Sequence, residues 1–393
     1  VTTAGTVTSK TGTITLTSAM VDVIENGVQV GIFGGTNGYV HVIGEGTVSA
    51  ISDGDFPGAS SATYQDGFGI VSRPSTAQFF KTALNDFTDW DALEFSTAGW
   101  KTDDLVRVFS DHRNVWLMGT ESIEPWFNTG NATFPFSRRE GTEMEIGLAA
   151  VQGVVAADNG VYWVSRSKLG EGMIMQSLGL QPKIISTTPI MESINSYADI
   201  SDTIAFSYQF DGHIMVEFTF PTGGASWVYD SSTRLWHERQ SGGGIHNIRE
   251  AMYFGGKNLV AHISNGKIYE LSRDAYDEDG TAMPATRISQ VLLNNEDLIT
   301  YNELHMLFSP GVGLASGAAG DVTPQAVLSW SDDGGHTFSS TINVPMGVNT
   351  AYDNRAIAYR LGQGRNRLFK VVVSAKVKRD LFDAFARIEI DEA

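Results

Sequence analysis

Leu105-Val106-Arg107-Val108-Phe109-Ser110-Asp111-His112-Arg113-Asn114-Val115-Trp116-Leu117-Met118 reads as two apolar-rich runs hinged on a short polar break. Alternation with period two marks a half-buried strand, and the Ser110 to Asn114 break folds the two runs into a hairpin. The same plan recurs on both sides of this stretch. Asn26-Gly27-Val28 and Asp66-Gly67-Phe68 lie upstream; Asp158-Asn159-Gly160, Asp211-Gly212-His213 and Gly255-Gly256-Lys257 lie downstream. Counted from Asn26, the six signals are stepped by 40, 45, 47, 53 and 44 residues. That period suits one blade of a β-propeller, a small antiparallel sheet repeated around an axis. The Asx-Gly residues have a mechanical reason to be there, since a two-residue hairpin needs positive φ, which Gly and Asn tolerate.

Each unit predicts three strands. The third continues to one near Ile123 to Phe127; the fourth runs Val151 to Ala156, Val161 to Val164 and Met173 to Met175; the fifth runs Thr203 to Tyr208, Ile214 to Phe218 and Ser226 to Tyr229. At the start, Thr6-Val7-Thr8 and Thr13-Ile14-Thr15-Leu16 alternate around a Ser9 to Gly12 turn and read as a further hairpin. Such units could also build a sandwich, but so regular a period favours the wheel. Beyond about Asp279 the rhythm stops. Ile288 to Leu293, Leu304 to Phe308, Ala326 to Trp330, Ala356 to Tyr359 and Leu368 to Val373 are strand-like, with polar or glycine-rich loops between them. The expectation is therefore an all-β chain: a β-propeller of about six blades over 1–280 and a β-sandwich-like domain over 281–393, hinged near Asp274 to Gly280.

Charge narrows the function. With 27 basic and 45 acidic residues the chain carries −18, which argues against wrapping nucleic acid through phosphate contacts. There is no Cys, so neither disulfides nor thiolate metal sites are available. No apolar run approaches the roughly 18 residues that cross a bilayer as a helix, and no membrane partner is expected. The first residue is Val1, which suggests processing or a fragment.

The chemical motifs favour structure over catalysis. Ser331, Asp333, Gly335, Thr337 and Phe338 match an Asp-box turn, common in sialidase-type propellers, but a single copy outside the repeats reads as a stable hairpin cap. Asp274, Asp277, Asp279 and Gly280 are spaced loosely like a calcium loop, without the distal bidentate Glu. The eight His residues are dispersed, and His213 and His262 beside turns read as hydrogen-bonded strand residues. Gly311, Gly313 and Gly317 lack the spacing of a phosphate loop. Trp116, Trp126, Trp163, Trp227 and Trp236 read as packing between blades more than as sugar platforms. Asn131-Ala132-Thr133 has the form of a glycosylation acceptor, incidental without a secretion signal. No catalytic, cofactor-binding or metal residue is assigned, and no cofactor is expected.

Gly119-Thr120-Glu121-Ser122-Ile123-Glu124-Pro125-Trp126, then Phe134-Pro135-Phe136-Ser137-Arg138 and Glu145-Ile146-Gly147, resemble the packaged-DNA stabilisation, or tail hub and nozzle, proteins of short-tailed bacteriophages. The likeness continues through Tyr208-Gln209-Phe210-Asp211-Gly212-His213 and Thr233-Arg234-Leu235-Trp236-His237-Glu238, and covers about Gly12 to Glu238. The resemblance implies a virion protein of the phage tail, arranged as a homohexameric ring below the portal and its adaptor. It implies that the ring retains packaged DNA, meets the tail needle, knob or tailspike, lets DNA pass at ejection and is not an enzyme. Upstream residues expected in the family are missing, which leaves the closure of the first blade, and a seventh blade, open.

Two readings follow. The first is a structural tail hub that touches itself, an adaptor and a needle, and passes DNA without specific binding; an acidic wall would repel phosphate. The second is a carbohydrate-active propeller, Asp-box glycosidase or lectin, acting on host polysaccharide, which would need two carboxylates about 5 to 10 Å apart in a concave site. The first is the expectation. Contact loops are sought at Gly311 to Gly320 and Met346 to Asn354, because segments so polar and glycine-rich seldom form core.

Overall fold

The computed structural model describes residues 9–18, 20–166, 172–295 and 297–391. The chain divides into two compact units, Val1–Glu270 and Leu271–Ala393.

The first unit is a β-propeller. Its six successive antiparallel sheets begin with the strands Asp22–Glu25, Ser61–Gln65, Leu105–Asp111, Val154–Ala157, Ile204–Phe210 and Ile248–Phe254. All six turn signals fall at one joint, between the first and second strand of a sheet. In five sheets the register leaves a two-residue loop: Asp66-Gly67, His112-Arg113, Asp158-Asn159, Asp211-Gly212 and Gly255-Gly256. Every one of these ten residues has positive φ, the requirement from which the turns were predicted. The first joint is wider, and the Asn26 side-chain oxygen accepts from the amides of Val28 and Gln29 at 3.0 and 2.6 Å.

Sheets one to five have four strands and the sixth has three among the described residues, against the three expected throughout. The fourth strands escape a sequence reading because they are short or follow a loop, as with Ser49–Ala50 and Phe136–Arg138. Thr13 to Leu16 is not a strand: this segment runs beside the first sheet, where the Thr15 amide donates to the Tyr39 hydroxyl at 2.9 Å. Thr6-Val7-Thr8 lies outside the described residues. A helix, Thr188–Ser196, links the fourth and fifth sheets and buries Ile190 and Ile194, one turn apart. Its signal was the Thr187-Thr188-Pro189 start, since Pro is tolerated in a first helical turn.

Packing between sheets is aromatic and aliphatic. Trp116, Met118, Val154 and Trp163 share one core cluster across sheets three and four, and Phe79, Val108 and Trp126 share another across sheets two and three. The tryptophans predicted as filling are therefore filling: Trp116, Trp126 and Trp163 are buried, while Trp227 and Trp236 pack against the core of sheets four and five.

The second unit is a β-sandwich. One sheet orders Ala285–Ile288, Leu368–Val373, Gln325–Ser331 and Ile342–Pro345; the other centres on Leu298–Phe308, flanked by Ala356–Tyr359 and Leu381–Asp391. Ile299, Tyr301, Leu304, Met306, Leu328, Val344 and Phe369 form its core. The strand expected at Ile288 to Leu293 sits earlier, at Ala285–Ile288, because Leu292 instead bridges to Arg367 as an isolated pair. The segment expected as a hinge contains a small hairpin, Asp277–Glu278 with Thr281–Ala282.

Candidate functional site

The starts of the first strands of the six sheets converge on one hydrogen-bonded network that no sequence pattern announces. Arg107, third residue of the third sheet, donates from Nη2 to Asp22 Oδ1 of the first sheet at 2.9 Å. It also donates from Nη1 to the Val151 carbonyl, which leads into the fourth sheet, at 2.9 Å. Asp22 accepts on its other oxygen from the Ala62 amide of the second sheet at 2.8 Å. Next to Val151, the Gln152 carbonyl accepts from the Ala205 amide of the fifth sheet at 2.8 Å. Its side-chain oxygen accepts from Arg249 Nη2 of the sixth sheet at 3.1 Å. Six sheets are thus joined through two short side-chain bridges and the backbone between them.

A guanidinium is only a few ångströms across, so groups from sheets one, three and four are drawn together where they meet on a single one. Arg107 and Asp22 are both largely shielded, and a shielded charge needs a partner to offset its lost hydration. Arg107 is not saturated: its Nε has no hydrogen-bond partner among the described residues. Glu250, beside Arg249, is exposed at the surface, with neighbouring protein around its carboxyl. Hydration lost to that protein raises its carboxyl above the ordinary range, against the opposing pull of the Ala251 amide, Arg107 and Arg249. Two acids, Asp22 and Glu250, and two arginines, Arg107 and Arg249, make the hub mixed in sign.

What the network can do chemically is hold position. It contains no hydroxyl or thiol paired with a base, so nothing in it activates a nucleophile. Among the described residues no group of three or more His, Asp or Glu is placed to hold a metal ion.

The residues singled out from sequence lie elsewhere. In the Asp-box, Asp333 accepts from the Ser331 hydroxyl at 2.6 Å, the Thr337 amide at 2.9 Å and the Thr337 hydroxyl at 2.6 Å. The Ser331 and Thr337 hydroxyls hold its carboxyl far below the usual range. Every contact is used to close the turn. Asp277, in the loose calcium-like run, is paired with Lys376 at 2.8 Å and also accepts from the Gly280 amide at 3.2 Å. His213 bonds Asp230 at 2.8 Å, and His262 accepts from the Ser264 amide at 3.1 Å. Asn131 and Thr133 sit in an exposed loop.

The two loops sought as contact surfaces do come together. Gly313 packs so closely on Val322, Val348 and Asn349 that a Cβ there would lie 2.5 Å from the Val322 carbonyl oxygen. Gly311 lies against Tyr352. Leu314, Val348 and Tyr352 stay exposed on the paired loops. Nearby, His305, Phe308, Met346, Asn354, Arg355 and Phe385 line a shallow depression of about 300 Å³.

Comparison with known proteins follows the same division of the chain. Residues 1–276 match the family model described as bacteriophage P22 Gp10, beta-propeller, and residues 285–389 match that described as bacteriophage P22 Gp10, beta-sandwich. No curated protein matches the chain. Among solved structures, an exo-beta-1,3-galactanase from Phanerochaete chrysosporium aligns over 96% of this chain and 98% of its own, at 9% identity and a TM-score of 0.35. The Pan2 WD40 domain of Neurospora crassa aligns over 61% of this chain and 70% of its own, at 6% identity and a TM-score of 0.39. At such scores and identities neither likeness bears on function.

Proposed function

Because the chain belongs to the family of bacteriophage P22 Gp10, structural tail components of the virion, we propose that it is the tail hub of a short-tailed phage. In this reading six copies close a ring below the portal and its adaptor, retain packaged DNA, meet the needle or tailspike and form the conduit for ejection. The chain has no catalytic role in it.

The observation that carries the reading is the match of both units, propeller then sandwich, to the two halves of one family. The hub network supports a particular form of it. Arg107 ties Asp22 to the Val151 carbonyl across the starts of the inner strands, which favours a path for DNA outside the protomer's own axis. DNA then passes through a lumen between protomers. A net charge of −18 suits such a lumen, because like charge keeps a polyanion from sticking, where a basic wall would hold it with salt-dependent affinity.

The test is a direct image of the tail by electron microscopy, together with DNA retention in particles assembled without this protein. A ring of six copies around a shared lumen, and loss of DNA from the deficient particles, is the expected result. A protomer that is monomeric in the tail, or deficient particles that keep their DNA, would overturn the proposal.

A further inference from the structure

One sheet of the sandwich unit turns a stacked pair of rings outward. Leu304 and Met306 are buried in the core, so strand alternation sends His305, between them, to the opposite face. The register sets Ile357 and Phe385 beside it, one on each neighbouring strand. The Phe385 ring lies against the His305 imidazole, with 4.7 Å between centres and 19° between planes, and stays 50% exposed. His305 Nε2 is 2.7 Å from Glu303 Oε2, which holds the imidazole in place. The phenyl ring is therefore a platform whose orientation is set before anything binds.

The depression that Phe385 lines also holds an uncommitted cation. Arg355 lines it too, is exposed, and has no hydrogen-bond, ion-pair or ring partner among the described residues. No Asp or Glu lines it. Asn354, on the same wall, gives its amide nitrogen to the Pro345 carbonyl at 3.2 Å and keeps its side-chain oxygen as an acceptor. Arg355 opens a run to Arg379 with eight basic residues and no acidic one, a local reversal in a chain of −18.

These features select a ligand. A free guanidinium takes a carboxylate in a paired grip, and the negative face of an aromatic ring takes the C–H face of a sugar. The space, about 300 Å³, is at the lower end for small-molecule pockets and suits a single ring with its substituents. A nucleic-acid strand fits less well. Alternation along Leu381–Asp391 puts Asp383 and Glu389 on the same face as Phe385, so a run of phosphates would meet carboxylates beyond the one free arginine.

We propose that this depression binds one acidic sugar residue of a polysaccharide, with the C–H face of the sugar ring on Phe385 and its carboxylate on Arg355. The site holds and does not cleave, since glycoside hydrolysis ordinarily uses a pair of carboxyl groups and none lines it. It lies on the sandwich unit and does not rest on the tail-hub reading.

The test titrates the full-length protein with short oligosaccharides of galacturonate, glucuronate and N-acetylneuraminate, and with neutral galactose oligomers, by saturation-transfer NMR. At least one acidic series is expected to bind, with saturation reaching its ring C–H protons. Arg355→Gln should weaken the acidic sugar roughly tenfold and leave any neutral binding unchanged. Phe385→Ala should weaken both, whereas Arg287→Gln, exposed on the other sheet of the same unit, should weaken neither. No saturation transfer to any acidic series, or acidic binding that survives Arg355→Gln, overturns the proposal. Displacement of the sugar by oligothymidylate or by a peptide of Glu and Phe, binding more tightly through the same two residues, also overturns it. Should Phe385→Ala not fold, Arg355→Gln decides alone. A ring of six copies that binds no acidic sugar removes this site and leaves the tail-hub reading intact; sugar binding by a chain that forms no ring does the reverse.

Discussion

Each unit is tied by one arginine, and the two ties are finished to different degrees. Arg367 in the sandwich is 1% exposed and nearly saturated. Its Nε and Nη2 grip both oxygens of Asp332 at 2.7 Å, Nη1 donates to the Leu361 carbonyl at 2.6 Å, and Nη2 also reaches the Gln363 carbonyl at 2.7 Å. Its Cζ lies over the Tyr301 ring at 4.6 Å from the ring centre and over that of Trp330 at 5.2 Å. Arg107 in the propeller spans more of the fold with less: one carboxylate, one carbonyl, and an Nε left over. A bidentate, stacked guanidinium fixes one geometry, whereas one with a spare donor can change partners at lower cost. The sandwich is thus locked around its arginine, while the hub is held under a looser clasp.

The largest break should come from Arg367→Met. It removes the bidentate pair and leaves two carbonyls buried, at a cost of about 3 to 5 kcal/mol, read as loss of the sandwich transition in thermal or denaturant unfolding. Arg107→Met should cost less, about 2 kcal/mol, because Asp22 keeps the Ala62 amide. Its particular signature is a further rise of the Glu250 carboxyl pKa, measured by NMR titration, since one of the charges opposing that rise is gone. A hub as tightly finished as the sandwich would instead lose as much as Arg367→Met does.

The joints give an effect of opposite sign. Arg113 occupies a two-residue turn at φ 62°, a conformation that strains an L side chain. Arg113→Gly should stabilise the propeller by about 0.5 kcal/mol after the added freedom of Gly in the unfolded chain is deducted, seen as a higher melting midpoint. Its ion pair with Asp66 is long and exposed, and contributes little.

The smallest effect is one of pH. The Asp111 carboxylate, at 2.7 Å from His112 Nδ1, raises the pKa of the imidazole above its usual value. The contribution of this pair is fully present below the unfolded histidine's pKa and fades as pH rises through the raised one. Titration of His112 by NMR should show the upward shift, and Asp111→Asn should abolish most of it.

These two kinds of feature were unequally legible in the sequence. The joints were visible because positive φ restricts residue type, so Asp66-Gly67, Asp158-Asn159, Asp211-Gly212 and Gly255-Gly256 write their geometry into their letters. Alternation likewise placed Ala356–Tyr359 and Leu368–Val373 at their observed bounds. The hub was invisible for the converse reason. Arg107 stands in an alternating strand as any solvated charge would, and its partners Asp22 and Val151 lie 85 and 44 residues away. Arg367 is hidden in the same way, 35 residues from Asp332. The loops at Gly311 to Gly320 and Met346 to Asn354 were singled out by composition, but their mutual packing at Gly313 depends on a close approach that no local pattern announces.

The knot at the inner-strand starts also has a mechanical consequence. Force applied to any one blade is passed through the Arg107 and Gln152 bridges to the other five. The wheel should therefore yield as a whole under load instead of shedding blades in turn, and the first step of that failure would be the parting of Arg107 from Asp22.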